Sequence, residues 1–163
     1  MMMGKAELAG WYKVIRSETW NRRDSVQYLD SYPVFVTEAL KECRDFYRNF
    51  FDFEIVFEAT WFVLLSSGGE RAVSLAFMHP EHPTTPPAPG GFRGDGAFFT
   101  LQVEDAGLAY EHAVGKGLQC DLPLRDEPWG QRRFGVTDPA GMWLDVVEQT
   151  EPEAGWWDPY LAP

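Results

Sequence analysis

The middle of this chain repeats one pattern of secondary structure. The segment at residues 33–38 predicts a strand, and an amphipathic helix follows over residues 39–51. The run at residues 99–104 predicts a second strand, and a second amphipathic helix follows over residues 106–116. Each unit then continues into strand-like segments rather than into another helix. A duplicated unit of this kind indicates two similar modules that pack as one body, with a cleft where they meet.

The stretch between the two units is rich in residues that interrupt secondary structure. Residues 80–95 hold five prolines and three glycines, which remove backbone donors and resist ordering, so a linker is predicted here. We therefore divide the chain into an N-terminal extension 1–30, a first module 31–79, the linker 80–95, a second module 96–149 and an acidic, Trp-rich tail 150–163. The tail is expected to cover an apolar patch on its own chain or on a partner.

Cap and turn residues place the remaining elements. Thr37 and Asp105 are predicted N-caps of the two helices, and Gly117 is the predicted stop of the second. Asp-Pro-Ala-Gly at 138–141 predicts a tight turn, because proline fixes one corner and glycine supplies the left-handed one. The predicted strands that follow the helices are 53–57, 61–65 and 72–78 in the first module, and 118–122, 132–137 and 142–147 in the second, with an irregular stretch at 124–127.

Charge and cysteine content exclude several classes of function. The formal net charge is −11 although residues 1–23 are net basic, so the remaining surface repels phosphate backbones and no nucleic-acid partner is expected. Cys43 and Cys120 form neither a disulfide framework nor a zinc motif. No apolar stretch has the length of a signal peptide or a membrane span. The sequence therefore predicts a cytoplasmic protein with no membrane partner.

Two segments resemble a known superfamily. The opening of the first module, with Val-Phe-Val at 34–36, Asp-Phe-Tyr at 45–47 and Phe-Phe-Asp-Phe at 50–53, is similar to a vicinal oxygen chelate module. The segment 134–148, which contains the Asp-Pro-Ala-Gly turn, is the more specific match. The superfamily includes glyoxalase I, extradiol dioxygenases, fosfomycin-resistance enzymes and bleomycin-resistance proteins. The resemblance implies an α+β fold of two βαβββ modules, whose curved sheets surround a cup with the helices outside, and it implies a homodimer.

The resemblance also implies where a metal would bind. Enzymatic members carry one ligand in the first strand and one in the last strand of each module, and these positions fall at Tyr32, Ser74, Phe98 and Asp145. Only Asp145 is an ordinary metal ligand. The three histidines, at positions 79, 82 and 112, lie in the linker region and on the second helix and do not replace the missing ligands. We therefore expect no metal and no other cofactor.

Aromatic and small polar side chains remain at these positions. Strand alternation places Trp143 on the same face as Asp145, and Phe98 on the same face as Thr100. Aromatic rings beside one carboxylate favour a planar or cationic ligand, whereas the alternative is that the rings only fill the cup. The turn at 128–130 is a candidate rim, and Arg133 pairs either with an anionic ligand or with Asp145. The predicted ligand-binding residues are Tyr32, Ser74, Phe98, Thr100, Trp129, Arg133, Trp143 and Asp145.

Three functions are consistent with this pattern. The leading hypothesis is a metal-free protein, similar to the bleomycin-resistance proteins, that sequesters a small aromatic or basic molecule in the cup. The second is a lyase, isomerase or dioxygenase-type enzyme that uses Asp145 as a general base or holds a metal at an atypical site. The third is a ligand-free accessory dimer whose tail docks a partner. Pairing of the modules within one chain or across a dimer stays open at this point.

Overall fold

The structure is a computed structural model that describes residues 30–69, 72–86 and 90–160. Most of the predicted N-terminal extension and the last three residues of the tail lie outside the described residues. The described residues from Tyr32 onwards belong to one compact unit. No helix in the described part of the chain is long and apolar enough to cross a membrane.

Both halves of this unit follow the same order of elements. The first contains β1 (Val34–Val36), α1 (Leu40–Phe51), β2 (Glu54–Ala59), β3 (Phe62–Ser66) and β4 (Ser74–Met78). The second contains β5 (Phe98–Gln102), α2 (Ala106–Gly115), β6 (Leu122–Glu127), β7 (Gln131–Thr137) and β8 (Trp143–Gln149), and a short 3-10 helix follows at Asp158–Tyr160. This arrangement confirms the predicted α+β fold with two βαβββ units.

Each half forms one four-stranded sheet. The strand orders are β1-β4-β3-β2 and β5-β8-β7-β6, and neither sheet closes on itself. The first strand of each half pairs with the last in parallel, while the remaining pairs are antiparallel. In each half, a helix follows the first strand, and two hairpins then bring the last strand back beside the first. This topology explains why each predicted helix is followed only by strands.

The two helices begin differently. Asp105 caps α2 as predicted, because its carboxylate accepts a hydrogen bond from the backbone N–H of Leu108 at 2.9 Å. The prediction for Thr37 was wrong: α1 begins at Leu40 after Ala39, which makes no side-chain cap. The Thr37 hydroxyl instead accepts from the N–H of Ala39 at 3.1 Å, one step before the helix.

The strand predicted at 118–122 was wrong, and so was the irregular stretch at 124–127. Strand β6 runs from Leu122 to Glu127. The apolar Leu118 lies just beyond the C-terminus of α2 and not in a strand. Its N–H donates to the carbonyl of Ala113 at 3.0 Å, and its side chain is buried in the core. Pro123 is tolerated in β6 because this is an edge strand with a partner on one side only.

One hydrophobic core serves both halves. It is built from the inner side of α1, from α2, and from alternate residues of both sheets; its largest fully buried members include Tyr47, Leu65, Phe77, Phe134 and Leu144. Because strand side chains alternate, the residues between these core positions lie on the opposite face of each sheet. Those outer faces carry the predicted ligand-binding positions.

Polar contacts also join the halves. The hydroxyl of Tyr47 on α1 donates to Oδ2 of Asp138, in the turn between β7 and β8, at 3.0 Å. Asp52, which ends α1 in a left-handed conformation, pairs with His112 at 2.9 Å and with Lys116 at 2.8 Å beyond the other helix. The hydrogen bond from Lys116 is the largest influence on the Asp52 carboxyl, whose pKa is lowered.

Candidate functional site

Five of the eight predicted ligand-binding residues lie on one face of the second sheet. Phe98 is level with Trp143 and Thr100 is level with Asp145 across the parallel pair of β5 and β8. Their neighbours along the chain, including Phe99 and Leu144, point into the core. The five residues on the outer face are Phe98, Thr100, Arg133, Trp143 and Asp145.

Asp145 is the centre of this group. Its side chain is almost fully buried, and both of its oxygens accept hydrogen bonds. Oδ1 accepts from the indole nitrogen of Trp143 at 3.0 Å, and Oδ2 accepts from Nη1 of Arg133 at 2.9 Å. Of the two partners that the sequence left open for Arg133, the structure therefore pairs it with Asp145.

A second carboxylate, Glu127, extends the ion pair toward the edge of the sheet. Arg125 on β6 lies directly opposite Arg133 on β7, where two guanidinium groups would repel each other. One oxygen of Glu127 accepts from Nε of both arginines, at 2.7 and 2.9 Å. Burial acts to raise the pKa of Glu127, but the hydrogen bonds from Arg125 and Arg133 outweigh it and lower that pKa. The carboxylate thus stays charged between the two cations.

Arg133 is held from three sides. Burial acts to lower the pKa of its guanidinium, but the bonds to Glu127 and Asp145 outweigh this effect and raise it. The central carbon of the guanidinium lies 5.1 Å from the centre of the Trp129 ring, within range of a cation–π contact. The indole nitrogen of Trp129 donates to Gln131 at 2.8 Å, which fixes the ring at the sheet edge.

The Trp143 ring packs against a residue without a side chain. A Cβ atom on Gly135 would overlap Cζ2 of Trp143, far inside van der Waals contact. Gly135 pairs with Asp145 across β7 and β8, so the ring crosses β7 at the level of the carboxylate. Glycine at this position is therefore required for the indole to reach Asp145.

The other two predicted positions, Tyr32 and Ser74, belong to the first half. Tyr32 precedes β1 and is exposed, while Ser74 opens β4 opposite Ser66. Within the described residues, no hydrogen bond, ion pair or ring contact joins either of them to the group on the second sheet. The structure therefore brings together Phe98, Thr100, Trp129, Arg133, Trp143 and Asp145, and leaves Tyr32 and Ser74 apart from them.

These residues do not fit a transition-metal site. Tyr32, Ser74 and Phe98 offer no His nitrogen or carboxylate, and both oxygens of Asp145 are already bonded. Among residues 30–69, 72–86 and 90–160, no three His, Cys, Asp or Glu side chains come together in a group that could hold a metal ion. His82, one of the three histidines considered as ligands, instead stacks its ring on that of Trp61, with the ring centroids 3.9 Å apart.

Sequence reasoning missed Glu127, Arg125 and Gly135. The signal for the first two was the alternation of charges at 125–127 opposite the arginines of β7, but it is readable only once 122–127 is recognised as a strand. Gly135 follows Phe134 in a strand, where an isolated glycine often marks a close approach. Neither signal identifies the partner side chain.

Two βαβββ units, whose sheets carry the candidate site on the faces that point away from the core, define the class of protein. A family model described as the Glyoxalase/Bleomycin resistance protein/Dioxygenase superfamily matches residues 31–146. The chain belongs to this superfamily, and the resemblance seen in the sequence is confirmed.

Solved structures share the fold. A glyoxalase/bleomycin resistance protein/dioxygenase from Nocardioides is 18% identical with a TM-score of 0.63, covering 91% of this chain and 95% of its own. A lactoylglutathione lyase from Agrobacterium tumefaciens is 17% identical with a TM-score of 0.59, covering 76% and 95%. A bleomycin resistance determinant encoded on the transposon Tn5 is 19% identical with a TM-score of 0.53, covering 75% and 98%. A comparison with curated protein sequences found no match.

Proposed function

We propose that this protein binds a small planar molecule, aromatic or basic, on the outer face of its second sheet and sequesters it without metal and without covalent chemistry. The observation that carries the proposal is the Phe98 ring, which is 65% exposed at the level of the Trp143 indole. An exposed phenyl ring beside an indole and a few fixed polar groups is the composition of a small-molecule site.

Stacking contributes more to recognition in this proposal than a direct ion pair. Arg133 already neutralises Asp145, so a cationic ligand would have to displace an arginine before it reached that carboxylate. An aromatic pair contributes about 0.5–1.5 kcal/mol beyond the area it buries. The net charge of −11 favours cations through its long-range field, which salt screens.

We also propose that a second copy completes the site. Ser74 lies on the face of the first sheet opposite its core positions, and Phe98 and Trp143 lie on the corresponding face of the second. In this proposal, the cup that contains all three residues is formed by the first sheet of one chain and the second sheet of its partner. Val34 and Phe57 are among the exposed apolar side chains of the first sheet that such a homodimer has available to cover.

The thiols support a cytoplasmic location in this proposal. Cys43 and Cys120 are both free, as expected in a reducing compartment. Burial raises the pKa of each thiol, so both remain protonated and neither acts as a nucleophile. A general-base role for Asp145 would require it to release Arg133 or Trp143, and no contact among the described residues favours that step over simple binding.

Calorimetric titration tests the proposal, with metal-free bleomycin and the planar cation ethidium as probes. Replacing Phe98 by Ala is expected to weaken binding of the responding probe about two- to tenfold, because one stacking partner is lost. Leu108→Ala is the matched control, since Leu108 is equally exposed but lies on α2 and not on a strand of the site. Equal affinity for the wild type and Phe98→Ala, or near-stoichiometric bound metal in protein purified without chelators, would contradict the proposal.

A further inference from the structure

The C-terminal segment 150–160 lies against the turn that joins β6 to β7. The N–H of Thr150 donates to the carbonyl of Gly130 at 2.9 Å, and the N–H of Glu153 donates to the carbonyl of Pro128, also at 2.9 Å. The indole nitrogen of Trp157 donates to the carbonyl of Trp129 at 3.1 Å. Each of the three turn residues thus accepts one hydrogen bond from the segment.

The turn is shaped for this contact. Gly130 has a φ of +93°, which favours glycine over any other residue. A Cβ atom at this position would lie 2.8 Å from the carbonyl oxygen of Thr150 and 2.9 Å from the nitrogen of Pro152. The two backbones are therefore in direct contact, and a side chain on Gly130 would separate them.

Aromatic packing continues from the segment to the site. The Trp156 ring centre lies 5.6 Å from that of Trp129, and Trp156 itself packs on Trp157 at 4.6 Å and on Tyr160 at 5.1 Å. Trp129 in turn contacts the guanidinium of Arg133. A continuous series of contacts thus runs from Trp156 through Trp129 to the ion pair with Asp145.

We propose that segment 150–160 is a positioning element of the ligand site, and that Trp156 is its principal residue. The segment fixes the Trp129 ring against Arg133, and this contact orients the guanidinium toward Asp145 and Glu127. Without it, Trp129 keeps only the bond to Gln131 at the end of a turn, and Arg133 loses its aromatic neighbour. This inference rests on the proposed function for its effect on binding, but its structural part is tested without any ligand.

The first measurement is an NMR spectrum of the full chain labelled with ¹⁵N-arginine. The Nε–H signal of Arg133, assigned with the variant Arg133→Lys, reports the ring current of Trp129 and the bond to Glu127. In Trp156→Leu this signal is expected to move and to exchange with water at least several-fold faster. In Trp61→Leu, a matched change in the first half, it is expected to stay in place. Trp156→Phe, which keeps a ring, should restore most of the wild-type signal.

Trp157→Phe is a milder variant in case Trp156→Leu fails to fold. It removes the hydrogen bond to the Trp129 carbonyl but keeps an aromatic ring beside Trp156, and the Arg133 signal is expected to shift in the same direction by a smaller amount. An Arg133 signal that is identical in the wild type, Trp156→Leu and Trp157→Phe would overturn the inference. So would a signal that moves equally in Trp61→Leu.

Titration with ethidium is the second measurement. Trp156→Leu is expected to raise the dissociation constant several-fold, with Trp61→Leu unchanged. If ethidium and metal-free bleomycin both fail to bind the wild type while the Arg133 signal still responds to Trp156→Leu, the proposed function fails and the positioning role stands. If the probes bind the wild type and Trp156→Leu equally, the positioning role in binding is refuted while the proposed function stands.

Discussion

At the scale of single residues, the absence of one side chain determines where an indole lies. The Trp143 ring reaches Asp145 only because Gly135, directly opposite that carboxylate, leaves space for it. Strand alternation was enough to predict that Trp143 and Asp145 share a face. It was not enough to predict that the ring lies over Gly135 of β7, because that depends on the size of a residue in a neighbouring strand.

Replacing Gly135 by Ala tests this packing. The added methyl group would overlap the Trp143 ring, so the indole must leave Asp145; we expect a loss of about 1–3 kcal/mol in the free energy of unfolding and weaker binding of the planar probe. Urea denaturation and calorimetry measure the two effects. Gly115→Ala is the control, since no atom beyond the neighbouring backbone of its own helix lies within 4 Å of its Cβ position, and it should leave both quantities unchanged or add slight stability. Equal behaviour of the two variants would refute the packing argument.

At the scale of elements, α1 is tied to the turn between β7 and β8. Oδ2 of Asp138 accepts from the buried Tyr47 hydroxyl, and Oδ1 accepts from the N–H groups of Ala140 at 2.9 Å and Met142 at 2.8 Å. Burial raises the pKa of Asp138 more than these bonds lower it. Because the folded pKa exceeds the unfolded one, the stability linked to this group is present below the unfolded pKa and is lost as the pH rises through the folded pKa.

The Tyr47 hydroxyl offsets part of that loss, since it donates to the charged carboxylate. We therefore expect Tyr47→Phe to lower the free energy of unfolding by about 1–3 kcal/mol at pH 7, and by less at pH 4, where more of Asp138 is protonated. Urea unfolding of the wild type and the variant at both pH values measures the difference. Tyr110→Phe is the control, because its hydroxyl makes no hydrogen bond among the described residues. A Tyr47→Phe cost that does not depend on pH would contradict this account.

The elements show what a single sequence can and cannot predict. The repeat, both helices and most strands followed from hydrophobic period and turn residues, because those signals are local. Strand β6 was misplaced because its proline and charges hide an edge strand, while the apolar Leu118 belongs to the end of a helix. The sequence did not predict the docking of the tail on Gly130 for a different reason. This contact joins two segments, and it leaves no periodic pattern in either one.

At the scale of the whole molecule, the prediction concerns which chains form the cup. Ser74→Trp would block the half of the site on the first sheet, and the double change of Phe98→Ala with Trp143→Leu would disable the half on the second. If cups form across a dimer, a refolded equal mixture of the two variants regains about a quarter of the wild-type capacity, since about half of the dimers are mixed and each has one intact cup. Calorimetry with the responding probe measures this capacity. A mixture with no more capacity than the separate variants would favour cups within one chain.

The shared core also makes the two halves interdependent. Each half presents to the other an apolar surface that would be unstable in contact with water, yet none of the described residues in the peptide that joins them, between Met78 and Phe98, belongs to that core. The covalent link between the halves and the core contacts that hold them together are therefore separate features of this molecule. A polypeptide cleaved in that loop should remain associated as a noncovalent pair. The two fragments, made separately, should bind each other when they are mixed.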